Sequence, residues 1–204
     1  KKIETIRTNA SGYAKSSELR IATYYIKEVK APKGYTLDKT VHKVTMNTDK
    51  TVQVYSVKSE EMPETAKIRI QKYDRITGKA QPYNEKVSFR GAKYIIYSDA
   101  ACTKEVEVLT TDNSGKAESR ELPLGIYFIK ETAAPAGYNL DKTIHKVEID
   151  SEKLLKIYTV RSDEEIQERQ IAVQKYDKET GEKVPANEAV SFQGAQYSVY
   201  SDAA

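Results

Sequence analysis

The strongest constraint in this chain is a period. Displaced by 103 residues, the sequence lies on itself without a gap. Tyr24-Tyr25-Ile26-Lys27-Glu28 falls on Tyr127-Phe128-Ile129-Lys130-Glu131, and Gln71-Lys72-Tyr73-Asp74 falls on Gln174-Lys175-Tyr176-Asp177. About half of the paired positions are identical. A repeat this long is a domain, not a turn of a solenoid. The stretches 59–65 and 162–168 cluster acidic residues and lack strand alternation, so both read as linkers. They divide the 204 residues into the C-terminal part of one repeat (1–60), a complete repeat (61–165) and the N-terminal part of a third (166–204). The chain reads as a window on a longer array.

Within the period, apolar residues alternate with polar ones, the mark of half-buried strands. Ile68, Ile70 and Lys72 share one face of a first strand, and Ile171, Val173 and Lys175 repeat it. Further strands are expected over 91–98, 105–110, 125–131, 143–149 and 154–160, with a hairpin-type turn at Asp112-Asn113-Ser114-Gly115. No stretch keeps a helical period. About seven short strands in about 100 residues argue an all-β, Greek-key β-sandwich.

Two charged residues fall on faces that the pattern buries. Lys72 continues the Ile68/Ile70 face, and Glu131 shares its face with Tyr127 and Ile129. Two readings stand open. Either the charges lie at a sandwich edge with their heads in water, or they form a buried pair. Burial disfavours both charged forms, which makes the amine more nucleophilic and lets the carboxyl act as an acid.

The ordered set Lys72-Tyr-Asp-x-x-Thr-Gly, Gly91-Ala92-x-Tyr94 and Tyr-x-Ile-Lys-Glu131-Thr-x-Ala-Pro-x-Gly-Tyr138 resembles the Cna protein B-type, or SpaA-type, prealbumin-like repeat domain of Gram-positive adhesins and pilins. The resemblance implies a prealbumin-like, reverse-immunoglobulin sandwich. It also implies a wall-attached extracellular location and a stalk or fibre role that projects a binding region from the cell wall. In many members a first-strand lysine forms an isopeptide bond to an Asn or Asp of the last strand, promoted by a glutamate. Carried over, these are Lys72 and Glu131. The acceptor position falls on Ser162, which has no side-chain carbonyl, or on Asp163 if a β-bulge turns it inward. The default expectation is therefore a Lys72–Glu131 ion pair with Ser162 hydrogen-bonded nearby. The equivalent sets are incomplete: Glu28 and Ser59 have no upstream lysine, and Lys175 has no downstream glutamate.

The remaining candidates are weak. His42 and His145 are equivalent strand residues, read as packed or edge histidines, and Cys102 as a free surface thiol. The Asp112–Gly115 and Asp74–Gly78 stretches lack a full calcium-ligand series and read as turns. No metal, cofactor or enzyme chemistry is expected. The 33 basic and 30 acidic residues are interleaved, which gives no nucleic-acid stripe, and no apolar run is long enough to cross a membrane. Expected partners are neighbouring repeats, with self-assembly into a fibre by strand complementation. The rival reading is a module that binds host protein or glycan through outer-face tyrosines such as Tyr25, Tyr73 and Tyr176.

Overall fold

A computed structural model of the chain describes residues 1–48 and 54–201. It divides into two units, Lys1–Ile166 and Gln167–Ala204. Among the described residues, the first unit holds all the strands. In its N-terminal part, β1 (Thr23–Lys27) pairs antiparallel with β3 (Val41–Thr45). The two-residue strands β2 (Tyr35–Thr36) and β4 (Met62–Pro63) also pair.

The middle repeat is a sandwich. Its strands are β5 (Thr65–Asp74), β6 (Lys93–Tyr97), β7 (Glu105–Thr110), β8 (Lys116–Glu118), β9 (Leu122–Pro123), β10 (Gly125–Ala133), β11 (Ile144–Ile149) and β12 (Ile157–Glu164). One sheet has the order β11-β10-β6-β7; the other has β12-β5-β8, with β9 also on β5. All pairs are antiparallel except β12 on β5, which run parallel from Ile157↔Lys67 to Glu164↔Asp74 without a break in register.

Strand period explains the packing. Alternate residues of β5 (Ala66, Ile68 and Ile70) are fully buried and meet Tyr94 and Ile96 of β6, Tyr127 and Ile129 of β10, and Val160 of β12. Burying such side chains stabilises the fold by about 1.5–3 kcal/mol each.

Two elements depart from the sequence reading. β12 runs four residues past Val160, because Ser162 and Glu164 continue its inward face as polar residues against Lys72 and Asp74. Polarity on a buried face hid the strand. The 59–65 linker contains β4, and Ile166 in the second linker bridges to Tyr138. These contacts come from backbone docking on the loop after a glutamate-bearing strand, which no side-chain period reports. The second unit, residues 167–201, contains turns and no regular strand.

Candidate functional site

The site lies at the polar end of the core, where four strands converge. β5 supplies Lys72, β6 Tyr94, β10 Glu131, and β12 both Ser162 and Glu164. All five are sealed from solvent, with at most 1% of any residue exposed. The local cause is strand alternation. Lys72, Glu131 and Glu164 each follow two apolar or small residues at spacing two, so the pleat that buries Ile68, Ile129 and Val160 buries them too.

Lys72 Nζ donates to Glu131 Oε1 at 2.6 Å and contacts Glu164 Oε1 directly. Glu131 Oε2 accepts the Asp141 backbone N–H at 2.7 Å. Ser162 Oγ donates to Glu164 Oε1 at 2.8 Å and accepts from Tyr94 Oη, also at 2.8 Å. The ammonium lies 4.9 Å from the Tyr94 ring centroid, within cation–π range. Glu164 Oε2 is buried and accepts no hydrogen bond.

One ammonium faces two carboxylates. With all three ionised, the cluster would keep an uncompensated negative charge in a dry core, which is costly. Burial pushes the Glu131 carboxyl above the ordinary glutamate range, against the opposing pull of Lys72 and the Asp141 N–H. The Tyr94 phenol is raised far above its usual range, by burial first and then by Glu164 and Glu131, so it stays neutral and acts as a donor.

The structure thus brings Lys72, Glu131 and Ser162 together. It does not bring Asp163 in. β12 carries no bulge, so Asp163 stays on the opposite face and pairs with Arg161 at 2.8 Å. Glu164 is the residue that sequence reasoning missed. Two signals pointed to it: it follows Val160 and Ser162 at spacing two, and the earlier copy repeats it as Ser59-x-Glu61.

The incomplete copies keep part of this geometry. Glu28 Oε2 accepts the Asp38 N–H at 2.7 Å, the same bond that Glu131 makes with Asp141. Lys175 lies 5.8 Å from the Phe192 ring. His42 and His145 are each 3.8 Å from an aspartate four residues earlier. Cys102 is half-buried and occupies a left-handed turn position. Asp112 Oδ1 accepts three bonds from Ser114 and Lys116, and Asp74 Oδ1 accepts one from Thr77. Both carboxylates therefore close turns. Among the described residues, no group of three or more His, Cys, Asp or Glu side chains is arranged to hold a metal ion.

Known proteins share this arrangement of strands. The sequence model of the SpaA prealbumin-like fold domain matches twice, over residues 1–61 and 66–164. The trypsin-resistant surface T6 protein of Streptococcus pyogenes serotype M6 is 45% identical over 47 residues, 23% of this chain and 9% of that protein. The Bacillus anthracis TIE protein superposes with a TM-score of 0.64 at 27% identity, covering 79% of this chain and 28% of that one. The chain therefore spans less than a third of either relative. With two matches that together take in most of its length, the chain belongs to the SpaA prealbumin-like fold domain family.

Proposed function

We propose that this chain is a length of shaft from a Gram-positive surface or pilus protein, built of tandem sandwich repeats with joints near residues 60 and 165. It projects other parts of its protein from the cell wall and associates with further repeats of the same kind. Similarity to the T6 surface protein supports the location.

The observation that carries the mechanical role is the parallel β5–β12 pair. Its strands are the first and last of the repeat. Because they run parallel, the incoming and outgoing chain ends leave from opposite ends of the pair. Tension along the shaft then shears eight paired positions together, from Ile157↔Lys67 to Glu164↔Asp74, rather than peeling them one by one. The Lys72–Glu131–Glu164 cluster ties both strands to β10 at the same place. Single-molecule pulling on the chain tests this. The middle repeat should unfold at high force, and Lys72→Met should lower that force clearly. An unchanged force in the variant would remove the cluster from the mechanism.

The direct contact of Lys72 Nζ with Glu164, whose second oxygen has no hydrogen bond, favours a second reading of the same site. Here Glu164 takes the acceptor role, and the lock is an amide. The Lys72 ammonium gives one proton to the Glu164 carboxylate, and the amine so formed attacks the Glu164 carboxyl carbon and a C–O bond breaks. Glu131 takes the amine proton and passes it to the departing hydroxyl, so one water leaves. Intact mass decides: the linked chain is lighter than its sequence by one water, and a mass equal to the sequence leaves the ion cluster as the lock. Direct recognition of host protein or glycan is less well supported in the middle repeat, where the Arg161 guanidinium covers the Tyr73 ring at 4.1 Å.

A further inference from the structure

Asp74 is fully buried, and closing its turn occupies only half of its carboxyl. Oδ1 accepts the Thr77 N–H at 2.7 Å, while Oδ2 is sealed from water without a hydrogen bond. Asp74 is also the last register partner of Glu164 on the parallel β5–β12 pair. Register partners on neighbouring strands lie about 4.8 Å apart and direct their side chains to the same face. Here that face is the core, since Lys72 and Asp74 of β5 and Ser162 and Glu164 of β12 are all buried. Glu164 shows the same anomaly. Its Oε1 is engaged by Lys72 and Ser162, and its Oε2 is buried without a hydrogen bond. Two neighbouring carboxyls thus each keep one unsatisfied oxygen inside the core.

Neither acid is free to turn away. Asp74 is anchored by its N–H to the Lys79 carbonyl at 2.9 Å and by the Gly78 N–H on its own carbonyl at 2.8 Å; the Arg75 N–H holds the Glu164 carbonyl at 3.0 Å. The surroundings supply little positive charge. Lys72 on β5 is the one buried cation among the described residues, and it already serves Glu131 on β10 as well as Glu164. Tyr94 on β6 and Ser162 on β12 offer hydroxyls. In the loop after β10, Asp141 adds a further carboxylate, and His145 of β11 lies 3.8 Å from it. The Arg75 guanidinium is exposed and pairs with Glu165. The Tyr138 phenol is raised above its usual range by burial first and, in the same direction, by the charges of Asp74 and Glu164. Two like charges held at one dry site cannot both stay ionised cheaply. A protonated carboxyl, in contrast, carries one O–H donor, and a single such bond satisfies both orphan oxygens.

We propose that Asp74 Oδ2 and Glu164 Oε2 bind one proton between them in the folded chain, so that an acid–carboxylate hydrogen bond fastens the end of the β5–β12 pair. This rests on the ion-cluster reading of the lock, in which Glu164 keeps both of its oxygens. On folding, the pair takes one proton from solvent. On unfolding it gives the proton back, because free aspartate and glutamate are ionised at neutral pH. The fastening is therefore complete in acid and is lost as pH rises, which makes the terminal strand pair of the repeat sensitive to pH.

The test counts the protons taken up when the urea-unfolded chain is diluted into weakly buffered solution at neutral pH. The native chain should take up about one proton more than Asp74→Asn, in which an amide N–H replaces the shared proton. The same difference should remain when both chains carry Glu131→Gln. The unfolding constant of the native chain, relative to Asp74→Asn, should rise about tenfold per pH unit over the same range. Infrared spectroscopy gives a reading that needs no folded Asp74 variant: the native chain at neutral pH should show the carbonyl stretch of a buried carboxylic acid. Equal uptake by the native and Asp74→Asn chains, a difference that vanishes with Glu131→Gln, or no acid carbonyl band in the native chain would overturn the proposal. If the intact mass then equals the sequence, the shared proton fails and the ion-cluster lock stands. A mass lower by one water removes the Glu164 carboxyl, and both fall together.

Discussion

Glu131 shows how one buried side chain is tuned by opposing effects. Removal from water raises its carboxyl, while Lys72 and the Asp141 N–H act to lower it. An acid with a raised folded pKa binds its proton more tightly in the folded state. Its contribution is fully present below the unfolded value of 4.5 and falls as pH rises toward the folded value. The melting temperature of the native chain should therefore fall, relative to Glu131→Gln, as pH is raised through that window. The glutamine keeps an oxygen for Lys72 but does not titrate. Glu131→Ala is harsher. It removes the acceptor for both Lys72 and the Asp141 N–H, and should cost about 3–5 kcal/mol in chemical denaturation at neutral pH. A loss below about 1 kcal/mol would mean that Glu164 alone satisfies the ammonium.

At the scale of elements, the β7–β8 turn sets how closely the sheets approach the site. Gly115 has φ +71°, and a Cβ there would lie 2.8 Å from Phe89 Cδ2 and 3.0 Å from Lys72 Cβ. The Gly115 carbonyl also accepts the Lys72 N–H at 3.0 Å. Gly78 has a similar φ of +67° but open space around it. Gly115→Ala should cost more than about 1 kcal/mol, and Gly78→Ala should cost only its backbone strain. Equal shifts in urea midpoint would mean that Phe89 and Lys72 yield freely to the methyl group. The strands themselves were largely legible. The faces of β5 and β10 follow directly from alternation. The end of β12 was not legible, because its inward residues are Ser162 and Glu164, and burial of a polar residue depends on partners contributed by distant strands.

For the whole molecule, the core of the middle repeat lies within the first unit, Lys1–Ile166. Removing residues 167–204 should leave the melting temperature of the middle repeat unchanged within error, followed by calorimetry. A fall of several degrees would mean that the third segment supports that repeat. The family model matches residues 1–61 and 66–164 as two successive stretches.

The sequence by itself determined the repeat length, the all-β class, the inward faces of the main strands and two of the three charges in the cluster. Those properties are local: a period of two or of 103 can be read along one chain. Only the tertiary structure decided which carboxylate completes the site. Ser162 and Asp163 were the candidates by position, but unbroken parallel pairing of β12 on β5 turns Asp163 outward and carries Glu164 to Lys72. That outcome depends on the register between strands about 90 residues apart in the chain, and register is fixed by packing across the core rather than by any neighbour in sequence.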